Sequence, residues 1–158
     1  MAALIGLHKL PASSILGVSL STFKGVRQHM GHYTANLRDI EFCLFDLLDR
    51  GSVLGTSIYK ELDRETVMGM LEEIKRLSEN DLAASFVEGD RMGVDFDPAT
   101  GDAKLPQSFK KSYRAYIDGE WWRVDAPAQL GGTVIPASVR WAIAEMVLGS
   151  NPAVHIYA

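Results

Sequence analysis

The chain has one cysteine, Cys43, among 158 residues. No intrachain disulfide and no four-cysteine metal site can form from it, which suits a reducing compartment. It has no run of about 18 uninterrupted apolar residues, so no membrane-spanning helix is expected. It lacks a surplus of positive charge: 16 basic against 20 acidic residues leave a net charge of −4. That balance argues against a nucleic-acid binder. A hydrophobic fraction of 47% is too high for a disordered chain and ample for a packed core.

The first 29 residues lack acid altogether. They hold Lys9, Lys24, Arg27 and four serines, and leave all 20 acidic residues to the remainder. A basic, serine-rich, acid-free leader reads as a mitochondrial transit peptide or as an upstream extension before Met30. Lys9, Pro11 and the serines interrupt the long apolar core of a secretory signal. The expected division is therefore a leader over 1–29 and a helical domain over 30–158. Cytoplasm is the expected compartment, or the mitochondrial matrix if the leader is a transit peptide.

Beyond the leader, helical periodicity dominates. Ile40, Cys43, Leu44, Leu47 and Leu48 recur at a 3.6-residue period and predict a helix over 37–49. Asn36 and Asp39 suggest an approximate capping box, and Gly51 a stop. On this stripe Cys43 reads as a buried core thiol. A second helix is predicted over 64–79, capped by Asp63, with Val67, Met70, Leu71, Ile74 and Leu77 inward. Glu72, Glu73, Lys75 and Arg76 then form a solvated face. A short helical segment follows over 82–87.

Gly89, Gly93, Asp97-Pro98 and Gly101-Asp102 punctuate the next stretch. Residues 94–96 and 103–105 flank it and suggest a small hairpin. Asp90, Asp95, Asp97 and Asp102 lack the spacing of a calcium loop and read as turn residues. A third helix starts at Pro106 and ends at Gly119, burying Phe109, Tyr113, Tyr116 and Ile117 and exposing Lys110, Lys111 and Arg114. The Gly131-Gly132 pair implies backbone that a side chain would block or strain. It lacks the spacing of a P-loop or a dinucleotide fingerprint. A fourth helix is predicted over 136–148, with Val139, Ile143, Met146 and Val147 inward. Glu145 reads as a surface carboxylate or one at a pocket rim. Asn151 can cap a fifth helix that opens with Pro152. The expected class is mainly α, with about five helices and one short hairpin.

Several of these segments together resemble the acyl-CoA dehydrogenase family. The run Leu105-Pro106-Gln107-Ser108-Phe109-Lys110-Lys111, then Gly119-Glu120-Trp121-Trp122, is similar to the family's helix ending in a Gly-Trp step. A Pro-x-x-x-Gly-Gly motif follows at Pro127 to Gly132, then a helix with a glutamate at Glu145. Met30-Gly31-His32-Tyr33 and the stretch from Ala83 to Arg91 are similar to the long-chain bacterial branch. The resemblance covers nearly all of 30–158. The Gly-Trp step departs by a small local insertion.

The resemblance implies the family's amino-terminal helical domain, without the β-domain and carboxy-terminal bundle. The family oxidises the Cα–Cβ bond of fatty acyl-CoA: a carboxylate removes the α-proton and FAD takes the β-hydride. In the family the catalytic carboxylate and most flavin contacts lie in the other two domains. The resemblance therefore assigns this chain no catalytic, metal or flavin-binding residue, and no tight FAD binding by the chain alone. It implies one wall of the acyl-chain pocket, with Val154, His155 and Ala158 as substrate neighbours. Fatty acyl-CoA becomes a partner only when the missing domains complete the site. A domain of this kind would leave an apolar patch around Tyr157 and the Gly131-Gly132 loop, open to oligomerisation or aggregation. The alternative is a stand-alone helical interaction module derived from such a domain; a polar face there would favour it.

Overall fold

The structure is a computed structural model that describes residues 31–157. The leader expected over 1–29 and Ala158 lie outside the described residues. The described unit is mainly helical, in the order α1 (Leu37–Glu41), α2 (Arg64–Leu77), α3 (Phe86–Met92), α4 (Gln107–Asp118), α5 (Ala137–Ser150) and α6 (Pro152–Tyr157). Between α3 and α4 a hairpin pairs β1 (Asp95–Phe96) with β2 (Ala103–Lys104). Asp95 faces Lys104 and Phe96 faces Ala103 in antiparallel register.

The core gathers the inward faces of the longer helices. From α2 come Val67, Leu71 and Ile74, and from α5 Val139, Ile143, Met146 and Val147, all fully buried or nearly so. Phe109 and Tyr116 of α4 close the same cluster. Each such side chain contributes about 1.5–3 kcal/mol by leaving water. Met70 stays half-buried at the edge of the α2 stripe. Glu72, Glu73 and Arg76 are exposed, as the periodicity predicts. Asp63 caps α2: its carboxylate accepts the Thr66 amide at 2.7 Å. That bond holds the Asp63 carboxyl below its ordinary range.

The first helix departs from expectation. After Glu41 the backbone widens into a π-helical turn over Phe42–Leu47. The Leu48 amide bonds the Cys43 carbonyl, five residues back, at 3.0 Å. A wider turn rotates the inward face away from a 3.6-residue stripe. Ile40, Leu44 and Phe45 are buried, whereas Leu47 and Leu48 are exposed. Cys43, expected in the core, is exposed as well. Asn36 does not cap the backbone; its amide donates to the Asp39 carboxylate at 2.5 Å.

The turn-rich stretch behaves as turn chemistry. The Asp97 carboxylate accepts the Ala99 amide at 2.8 Å, and Gly101 takes a left-handed φ of 77°. Pro106 stands just before α4, at its cap, rather than inside its first turn. The segment predicted over 82–87 is a 3-10 turn, Ala83–Ser85, leading into α3.

Candidate functional site

The region singled out by sequence is the corner between α5 and α6. Pro152 opens α6, where the missing N–H of proline costs the helix nothing. Asn151 makes the corner rigid. Its side-chain amide donates to the Leu82 carbonyl and to the Ser85 hydroxyl, both at 3.0 Å. Its side-chain oxygen accepts the Val154 amide at 3.4 Å. Asn151 is 2% exposed, so the chain that enters α6 is tied to the segment between α2 and α3 through a buried, fully engaged amide.

The corner divides the predicted substrate neighbours. Val154 is fully buried and belongs to the core. His155 is half-buried and faces a hollow of about 270 Å³ with Asp125, Arg140, Trp141 and Ala144. Arg140 donates to the Asp125 carboxylate at 2.9 Å, and its guanidinium lies 5.0 Å from the Trp141 ring centre. Near this pair the Tyr116 phenol is pushed up to about 12, first by burial and then by the charge of Asp125. Glu145 is exposed and borders a separate hollow of about 320 Å³ with Cys43, Leu48 and Trp141.

Apolar side chains stand in solvent around the corner and the glycine loop. Ile156 is 78% exposed, Tyr157 59%, Trp141 58% and Leu130 71%. The loop that carries Leu130 has a defined shape. Gly131 is left-handed at φ 82°, and the Ala126 carbonyl occupies the space a Cβ on Gly132 would need. The Thr133 amide then bonds the Arg123 carbonyl at 2.8 Å. Both glycines are thus required by backbone geometry, as the sequence implied.

Sequence reading missed the long-range role of Asn151. An Asn before Pro signals a cap, but nothing local identifies Leu82 and Ser85 as its partners. Among the described residues no cluster of three metal-ligating side chains occurs. Among them, too, no helix is long and apolar enough to cross a membrane.

No family model matches the chain. It is 45% identical over 129 residues to the broad-specificity linear acyl-CoA dehydrogenase FadE5 of Mycobacterium tuberculosis, covering 82% of this chain and 21% of that protein. It is 30% identical over 115 residues to the 3-methylmercaptopropionyl-CoA dehydrogenase of Ruegeria pomeroyi, covering 73% of this chain and 19% of that protein. By sequence the chain belongs with the acyl-CoA dehydrogenases, as a stretch that spans about one fifth of the length of the curated relatives it matches.

Proposed function

We propose that this chain serves as the amino-terminal helical domain of an FAD-dependent acyl-CoA dehydrogenase acting on fatty acyl-CoA. On this reading it contributes one wall of the acyl-chain pocket and is not catalytic alone. The observation that carries the reading is the set of exposed apolar residues at the α6 corner and glycine loop, Leu130, Ile156 and Tyr157. Side chains of this size left in solvent fit surfaces meant to be covered. The α6 side that carries His155 supplies the wall, and Val154 supports it from the core.

FAD, in the complete enzyme, supplies the hydride acceptor. A cleft of about 290 Å³ beside α3 and α6 does not fit that group, because Asp90 is its charged lining residue and no cation there meets a pyrophosphate. On this reading the flavin contacts belong to the family's β-domain and carboxy-terminal bundle. The lone cysteine and ordinary composition suit a cytoplasmic setting.

The purified chain tests this assignment. Its absorption spectrum is expected to show no flavin, and fatty acyl-CoA with an artificial electron acceptor is expected to show no turnover. Tight, stoichiometric FAD binding by the chain alone would contradict it.

A further inference from the structure

A cleft of about 290 Å³ opens between α3, the hairpin, α4 and α6. It lies on the side of α6 opposite His155, and it shares Tyr157 with the exposed residues on which the proposed role rests. Its walls are aromatic, from Phe86, Phe109 and Tyr157. Phe109 and Tyr157 meet edge to face, with ring centres 5.6 Å apart. Phe86 is backed by the His32 ring, stacked at 4.3 Å. The polar lining is built in: Ser85 and Asn151 are 1% and 2% exposed, and the Asn151 amide is fully engaged within the protein.

One lining residue is charged. Asp90 is exposed on α3 and takes part in none of the ion pairs among the described residues. No lysine or arginine lines the cleft. An anionic head group would meet a carboxylate with no compensating cation. A cationic head group would meet that carboxylate with no cation competing for it. We propose that this cleft binds a small amine: an alkyl or aryl body against Phe86, Phe109 and Tyr157, with its ammonium at Asp90. The volume is at the lower end of ligand pockets, about 300 Å³, so the body is short.

The test uses the full chain with octylammonium, octanol and octanoate, each followed by calorimetry and by side-chain NMR shifts. Octylammonium is expected to bind saturably, about threefold to tenfold tighter than octanol, since one exposed charge pair is worth about 1 kcal/mol. Octanoate is expected to bind weakest. Asp90→Asn, a change at an exposed position, brings octylammonium to the affinity of octanol. Gly89→Leu provides an independent block. A Cβ at Gly89 meets no atom within 4 Å, and leucine favours the helix that glycine weakens. This variant is expected to keep its melting temperature and to bind all three ligands at least tenfold more weakly. The proposal is overturned by octanoate binding as tightly as octylammonium, or by an amine preference that survives Asp90→Asn. Undiminished binding to Gly89→Leu, or no saturable binding of octylammonium at all, overturns it equally.

Discussion

The ring of Tyr33 fills the space that a side chain on Gly149 would need; its Cδ2 lies 3.1 Å from where a Cβ would sit. This contact joins the segment before α1 to the end of α5. The same segment is held by the Ala35 amide, which donates to the Glu79 carboxylate at 2.9 Å. Gly149→Ala sets two effects against each other. Alanine improves helix propensity by about 1 kcal/mol, whereas overpacking costs about 1–3 kcal/mol. Because the obstacle is a packed ring, the second effect is expected to win. Urea unfolding should show a net loss of stability; a gain would mean that Tyr33 does not pack there.

Asn151→Ala removes the amide that serves Leu82 and Ser85. Both acceptors remain buried, and each unsatisfied group costs about 1–3 kcal/mol. The expected loss is about 2–4 kcal/mol in urea unfolding, with an unchanged denaturant slope. A loss no larger than that of an ordinary surface substitution would remove the corner clamp from the description.

Alkaline pH should expose Tyr116. Burial, and then the charge of Asp125, push its phenol up to about 12 in the folded chain from its ordinary value of 10.0. A raised folded value means that the unfolded chain loses this proton first. The stabilisation is therefore complete below pH 10 and is lost as pH rises toward 12. Two units correspond to about 2–3 kcal/mol. The difference in stability between the native chain and Tyr116→Phe, measured from pH 9 to 12, should follow that window. Tyrosinate absorbance titrating at its ordinary value would contradict it. Tyr33 shifts in the same direction, first through burial and then through Glu145 and Glu79.

The glycine loop provides a graded comparison. Gly131→Ala places a side chain in left-handed backbone, at a cost of about 1–2 kcal/mol. Gly132→Ala drives a Cβ into the Ala126 carbonyl, so backbone must move. The second substitution should be the more damaging by thermal unfolding. The reverse order would assign the strained position to the other glycine.

The longer helices were legible because one face of each meets the core directly. The spacing of Val67, Leu71, Ile74 and Leu77, and of Val139, Ile143, Met146 and Val147, is the spacing of their burial. The hairpin was legible from its turn residues, and Asp63 from its capping position. Cys43 was misread because a π-helical turn breaks the assumed period, and no residue type marks such a turn. The α6 neighbours illustrate a second limit. Helical spacing places Val154 and His155 on a short helix, but it does not say which side turns to the core. That depends on Asn151, whose partners lie 69 and 66 positions away.

Replacing the matching 129-residue segment of FadE5 by its counterpart from this chain tests the proposed role most directly. The measurement is kcat/KM for linear acyl-CoA substrates, read alongside flavin content. The chimera is expected to hold flavin and to dehydrogenate linear acyl-CoA, with Ile156→Asp in it lowering kcat/KM at least tenfold. A chimera that takes up no flavin, or one that binds flavin as its parent does yet turns over no linear acyl-CoA, would contradict that role.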